Sequence, residues 1–282
     1  METQLSRSPT GSIVRIEPSR GWFTLRLHEV WSHRELLYFL TWRDLKLRYK
    51  QTALGALWAV VQPLMLMVVF TFVFGNFAKV PSDGLPYPIF AYVALVPWNF
   101  FAGALSRCVA SFVGNSNIIS KVYFPRLIVP LAAVISGFLD FAISFAILVA
   151  MMAWFGFTPG LAVLTVPLFL LLALMTALAA GLWLAALNVK YRDVSHGISF
   201  VIQLWMYASP VAYPIGVVPE DWRYLYMFNP MVTIIQGFRW ALLGAEMPDV
   251  GISAVSIAAV IVLLFGGIVY FKRTERTMVD VI

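Results

Sequence analysis

Residues 41–64 read TWRDLKLRYKQTALGALWAVVQPL, and the character of the stretch changes at Gly55. Before the glycine it is basic and amphipathic. After it, the 21 residues from Leu57 to Phe77 carry no charge. A helix needs about 20 predominantly apolar residues to cross the hydrocarbon core of a bilayer. One continuous segment therefore first lies on a membrane surface and then enters the membrane. Arg43, Lys46, Arg48 and Lys50 sit just ahead of the entry point. Lys and Arg collect on the cytoplasmic side of membrane proteins, so the first span is expected to start inside.

The surface part, residues 28–54, is expected to form an amphipathic interface helix. At about 100° per residue, Trp31, Tyr38, Trp42, Leu45 and Tyr49 share one narrow stripe. Leu36, Leu40 and Leu47 fall on nearly the opposite side. Lys46, Lys50 and Arg43 fill one flank, and Asp44 and Arg48 the other. Amphipathic rings such as Trp42 and Tyr49 favour the headgroup zone, with Arg43 and Lys46 alongside. A plain anchor needs only one apolar face, so the second stripe predicts cover by protein as well.

The composition fits a membrane chain. Of 282 residues, 61% are hydrophobic and 12% charged, against roughly 25% charged in soluble domains. The net charge of +6 sits beside apolar runs, so topology accounts for it better than nucleic-acid binding does. Cys108 is the single cysteine and can form no disulfide within the chain. No Gly-x-x-x-x-Gly-Lys-Ser/Thr loop occurs, so no nucleotide phosphate cradle and no cofactor are expected in this chain. His28 and His33 lie off the i, i+4 spacing and His196 is distant, so no metal site is expected.

Residues 1–27 are polar and lack the apolar run of a secretory signal; they are read as a cytoplasmic tail. Residues 55–282 are read as one all-α membrane domain. Its six expected spans are 57–77, 88–112, 127–153, 161–187, 198–214 and 252–271. The fifth is short and carries Pro210 and Pro214. Seventeen of the 20 Lys and Arg then fall on one side, leaving only Lys79, Arg223 and Arg239 outside. Both termini are therefore expected to be cytoplasmic. Residues 217–243 are apolar enough to suggest a seventh span. That crossing would put Lys272, Arg273 and Arg276 on the wrong side, whereas a broken helix pair dipping in from the outer face keeps the parity. No internal repeat is visible, so an inverted-repeat secondary carrier has no support.

No arrangement of residues suggests catalysis. Asp140, near the middle of the third expected span, is the one deep ionisable residue, and such residues are functional candidates. Without a partner at similar depth, a structural hydrogen bond or channel lining is read ahead of proton coupling. In the loop 114–126, Asn115, Ser116 or Asn117 could cap a short helix. Ile118, Ile119, Val122, Tyr123 and Phe124 would then form an exposed apolar surface, which usually marks a contact. Folding back on the membrane interface is the simpler alternative. Lys190, Tyr191, Arg192 and Asp193 form a second, lesser loop. Phe70, Phe74 and Phe77 recur at i, i+4, i+7 on the first span, and Trp205, Tyr207 and Tyr213 lie on the fifth. Aromatic faces suit the C–H faces of sugars, although packing is the commoner use of such a stripe.

The segment RDLKLRYKQTALGALWAVVQP resembles the entry motif of ABC-2 type permeases that export polysaccharides, the O-antigen, capsule and teichoic-acid exporters. The resemblance returns at NSNIISKVYFPR (115–126), NVKYRDVSH (188–196) and NPMVTIIQGFR (229–239), and so covers the chain from about Glu35 onward. It implies a homodimer in the bacterial cytoplasmic membrane, two copies of a separate ABC ATPase that bind ATP and Mg, and a lipid-linked polysaccharide substrate, most simply O-antigen-like. It implies that 114–126 is a coupling helix, with Asn117, Ile118, Lys121, Val122, Tyr123, Phe124 and Arg126 facing the ATPase, joined by Arg192 and Asp193. It also implies an external gate of re-entrant helices containing Trp222, Asn229, Pro230 and Arg239. Phe70, Phe74, Phe77, Asp140, Trp205, Tyr207 and Tyr213 are candidates for the channel. Rival readings are a permease for a drug or another lipid, a proton-coupled carrier using Asp140, and a membrane-embedded transferase. The last would need acidic catalytic residues near a membrane face, and the cytoplasmic loops offer only Asp193.

Overall fold

The computed structural model describes residues 27–50 and 55–278, all helix and loop with no strand among them. The expected tail, apart from Leu27, and residues 51–54 of the expected interface helix lie outside this set. Two helices come first, α1 (Leu27–Ser32) and α2 (Arg34–Lys50). Next come α3 (Gly55–Phe70), which passes into a π-helical stretch over Thr71–Phe77, and α4 (Tyr87–Gly114). A single turn, α5 (Ser116–Ile119), leads to α6 (Ile128–Ile135) and α7 (Phe138–Phe155), two halves of one broken rod. A 3-10 turn at Leu161–Thr165 opens α8 (Val166–Lys190), and α9 (Val194–Tyr207) follows. The chain ends with α10 (Glu220–Met227), α11 (Pro230–Leu243) and α12 (Val250–Met278).

Five helical stretches among the described residues are long and apolar enough to cross a membrane: Leu57–Phe77, Tyr87–Gly114, Ile128–Phe155, Leu161–Lys190 and Val250–Thr274. Each lies within a few residues of an expected span, because hydropathy over a 20-residue window is a local property. The expected fifth span is shorter than predicted. Its helix, α9, has 14 residues and is followed by turns rather than a continuing helix. Pro210 and Pro214 supply no backbone N–H for a longer one.

The hub is α4. Of its most apolar window 78% is buried, against 11–33% for the other four rods. Tyr92, Phe90, Phe101 and Leu105 are fully enclosed. Its closest neighbour is α8, and small side chains make the approach possible: a Cβ on Gly181 would sit 2.8 Å from the Cβ of Cys108. In a bilayer, where the hydrophobic effect does not drive helices together, close backbone packing of this kind does. The outer rod α3 instead exposes Leu57, Trp58, Met65, Val68 and Val69.

Two apolar clusters divide the bundle. The large one surrounds α4 and reaches α7, α8 and α11. The smaller one lies where α2, α5, α6, the end of α4, the end of α8 and α12 converge. That second convergence, together with Arg48, Arg107, Lys121 and Lys190, defines the basic end of the molecule.

Candidate functional site

At the basic end, α2, α4 and α7 meet around one carboxylate. Asp140 is the third residue of α7. It accepts hydrogen bonds from Arg48 Nη1 and Tyr49 Oη, and Arg107 Nη1 lies 3.4 Å away. Arg48 Nη2 also donates to Ser136 Oγ at 3.4 Å, and Arg107 Nε donates to the Ala133 carbonyl at 3.1 Å. Gly137 makes the space, since a Cβ there would run into the Arg107 guanidinium. Burial and the bond to Asp140 push the Tyr49 phenol up to about 12, so it stays protonated and donating across the physiological range. A negative side chain in the first turn of α7 also suits the positive end of that helix.

This geometry corrects the expectation in one respect. Asp140 lies near the middle of the Ile128–Phe155 rod, as expected, but it does not lack partners there. The third rod breaks at Ser136 and Gly137, so residue 140 begins its second half, level with the end of α2. Tyr49 correspondingly leaves the outward aromatic stripe of α2, while Trp31, Tyr38 and Trp42 remain exposed on it. The opposite stripe is covered as expected at Leu36 and Leu40, but Leu47 stays exposed.

Arg43 links this node to the loop after α4. It pairs with Asp44 at 2.7 Å and donates to Asn115 Oδ1. Asn115 occupies the N-cap position of α5, but its side chain does not cap. Its amide donates instead to the Ser111 carbonyl at 2.8 Å. The loop has two faces. Ile119 and Phe124 are buried beside Leu40, Leu127, Leu182 and Phe271, where the Phe112 and Phe271 rings meet edge to face at 4.9 Å. On the other face Val122 is 56% and Tyr123 83% exposed, flanked by exposed Asn117 and Lys121. Ile118 and Arg126 are half-buried. The expected outward display of Ile119 and Phe124 is thus corrected: a pocket built from distant helix ends takes both inward.

The second basic-end loop is organised by Asn188. Its amide donates to the Val109 carbonyl at 3.1 Å, and its Oδ1 accepts from the Ser195 backbone at 3.0 Å. That explains the asparagine opening the NVKYRDVSH stretch. Arg192 and Asp193 project outward.

At the opposite end, Asn229 and Arg239 tie three elements together. Asn229 Oδ1 accepts from the Met231 backbone N–H and from Trp205 Nε1, while its amide donates to the Ala208 carbonyl and to Ser209 Oγ. One side chain therefore caps α11 and holds the end of α9. Pro230 is buried at the first position of α11, where its missing N–H costs nothing. Arg239 is 4% exposed. It donates to the Val211 carbonyl at 3.0 Å and more weakly to those of Tyr213 and Phe90. Its guanidinium carbon stands 3.6 Å over the Phe90 ring. No carboxylate among the described residues forms an ion pair with it. Tyr213 Oη and Tyr226 Oη are 2.6 Å apart and join α10 to the turn after α9. Trp222 is exposed.

The described residues thus hold the basic helix α2, five membrane-length rods, the short α9 and the helix pair α10–α11 before the last rod. The family model described as "ABC-2 type transporter" matches residues 35–243. The chain belongs to the ABC-2 type transporter family. Among curated proteins it is similar to the O-antigen export system permease protein RfbA of Klebsiella pneumoniae, 29% identical over 243 residues, 86% of this chain and 93% of that one. The protein of the same name from Myxococcus xanthus is 28% identical over 254 residues, 89% and 96% of the two chains. The polysialic acid transport protein KpsM of Escherichia coli is 22% identical over 243 residues, 84% and 92%.

In this ABC-2 chain the aromatic residues expected to line a channel have different fates. Phe70 is buried and meets Phe74 edge to face at 5.4 Å. Phe77 does not continue their stripe: π-helical winding over Thr71–Phe77 turns it toward Phe72 instead, with ring centroids 4.9 Å apart. Trp205 is a strut between Asn229 and the Phe101 ring. Phe77 and Tyr207 keep exposed faces. Sequence reasoning missed Arg107, Asn115 and Asn188 as cross-links. Polar side chains at the ends of apolar rods were the available signal.

Proposed function

We propose that this chain is the membrane subunit of an ATP-driven exporter that moves a lipid-linked polysaccharide, O-antigen-like in class, across the bacterial cytoplasmic membrane. The observation that carries the proposal is the two-faced loop after α4, in a transporter family whose similar members are named for O-antigen export and polysialic acid transport. Two copies of the chain would enclose the path. Two copies of an ABC ATPase, which would hold the ATP and Mg, would seat on Val122 and Tyr123. A push on that face reaches α2 through Ile119, Phe124 and Leu40, and again through the Asn115–Arg43 bond. The interface helix would thus move with the ATPase while its outer face rides on the bilayer.

Both termini would be cytoplasmic. The first turn of α9 is tied to the basic end by Ser195 and its last to the opposite end by Asn229. Fourteen helical residues span about 21 Å, short of the roughly 30 Å hydrocarbon thickness. Residues 208–214 would complete this fifth crossing, with α10 and α11 as the external gate. A reporter inserted at Gly244 should therefore read external and one fused after Ile282 cytoplasmic; a cytoplasmic reading at Gly244 would reject this layout.

The coupling face makes a graded prediction. Tyr123→Ala removes an exposed aromatic anchor and should cost about 2 kcal/mol of ATPase affinity, roughly thirty-fold, with normal membrane levels. Lys121→Ala should do less, since rim charges are screened. Phe124→Ala opens a cavity in the smaller cluster, so it should lower the amount of folded membrane subunit instead, by about 3 kcal/mol. Pull-down of the ATPase at matched membrane levels separates the three.

The export reading itself is tested by deletion. Cells lacking the chain should lose surface polysaccharide and accumulate lipid-linked polymer on the cytoplasmic side. Unchanged surface polysaccharide, with a lost efflux of a drug or another lipid, would move the substrate class. The proton-carrier reading is weakened by the two guanidiniums that hold Asp140.

A further inference from the structure

The outer face of α2 carries a groove of about 330 Å³ lined by Phe39, Trp42, Arg43, Lys46, Leu47 and Lys50. Its walls combine two chemistries. Phe39, Trp42 and Leu47 are large apolar side chains exposed by 61%, 49% and 57%. Lys46 and Lys50 form no ion pair with a carboxylate among the described residues, and Lys46 Nζ stands 5.6 Å over the Trp42 ring. Arg43 is only half available, being committed to Asp44 and Asn115. The opposite side of α2 is closed by Leu40 and by the Asp140 node, so this face is the one left outward.

We propose that this groove is a binding site for the phosphate headgroup of an anionic phospholipid. Lys46 and Lys50 would meet the phosphate, and Phe39, Trp42 and Leu47 the first methylenes of its acyl chains. Charge complementarity selects the occupant. A zwitterionic lipid would bring a choline or ethanolamine cation to two ammonium groups, whereas a phosphatidylglycerol brings only a phosphate and hydroxyls. The apolar wall favours a lipid over a free inorganic anion, which would leave Phe39, Trp42 and Leu47 in water. The proposal rests on α2 lying at the membrane surface and goes further by giving that surface a headgroup preference. Since α2 is bonded to the coupling loop through Arg43 and to the bundle through Arg48 and Tyr49, a lipid held here would bias the pose of the coupling machinery.

Each basic residue near an anionic surface contributes about 1 kcal/mol, or about fivefold. The test is native mass spectrometry of the full chain supplied with equal phosphatidylglycerol and phosphatidylcholine. The ratio of the two retained lipids should favour phosphatidylglycerol. It should fall about twenty-five-fold in the Lys46→Gln/Lys50→Gln double variant and stay unchanged in Lys79→Gln at the opposite end. A fluorophore on a Tyr38→Cys variant, quenched by headgroup-labelled lipid in vesicles, reports separately whether α2 touches the bilayer. Quenching with an unchanged lipid ratio in the double variant overturns the headgroup site alone. Absence of quenching overturns the interfacial placement beneath it. An unchanged lipid ratio together with lost ATPase co-purification identifies the groove as a protein contact and overturns the proposal as well.

Discussion

Asp140→Ala is expected to detach α2 from the bundle. The substitution removes the carboxylate that Arg48 and Arg107 share, and the acceptor of the Tyr49 hydroxyl. The two arginine side chains are only 30% and 22% exposed, so solvent screens their mutual repulsion partly. Exposed pairs are worth up to about 1 kcal/mol and breaking a buried one costs 3–5 kcal/mol. We expect about 2 kcal/mol here, roughly thirty-fold in the docked population of α2. Hydrogen exchange over Arg34–Lys50 should speed up accordingly, and export should fall with it. Asp140→Asn keeps the shape and some hydrogen bonding but not the charge, and should fall between wild type and Ala. The decisive comparison is the double variant Asp140→Asn/Arg107→Met, which removes a cation along with the anion and should recover part of the docking. If Asp140→Asn abolishes export while exchange in α2 is unchanged, the side chain has a transport role beyond this node.

Arg239→Met should produce the second large effect, at the opposite end. The guanidinium donates to carbonyls of Val211, Tyr213 and Phe90, and so braces the turn after α9 against α4 and α11. Hydrogen bonds from a charged donor contribute about 1.5–3 kcal/mol each, while relief of its desolvation offsets part of that loss. The net change should fall on the turn rather than on the bundle. Amide exchange at Val211 and Tyr213 should rise by about tenfold or more, with the melting of the five long rods little altered. Arg239→Lys should not rescue it, because one ammonium cannot reproduce a planar fork lying over the Phe90 ring. Slow, wild-type exchange at residues 211–213 in both variants would show that the Asn229 knot alone holds the turn.

The same cross-links show where sequence reading stops. The five long rods were legible because each is a property of its own residues: a window without charge, bounded by Lys, Arg, Pro or Gly. The basic helix over Arg34–Lys50 and the short helix after Asn115 were legible for the same reason, although Asn115 does not cap it. Asp140 was read as lacking a partner at its depth because its own apolar run supplies none, and composition does not register the break at Ser136–Gly137. Its partners are 33, 91 and 92 residues away in the chain, and no local pattern joins them. Phe124 was assigned outward because its own loop offers it no cover.

The sequence by itself determined that the chain is all-helical and membrane-inserted, with its basic segments gathered at one end. Those outcomes follow from free energies of transfer, which sum over neighbouring residues. Only the tertiary structure decided which polar and aromatic side chains are struts and which are free. Phe124 and Tyr123 are adjacent and chemically alike, yet one is enclosed by Phe112, Leu40 and Phe271 and the other is left open. Arg48 and Lys50 are two residues apart, yet one closes on Asp140 and the other faces the outer groove. The reason is geometric: burial and pairing depend on what another helix brings to within a few ångströms, and that is set by the packing of rods that are distant in the chain.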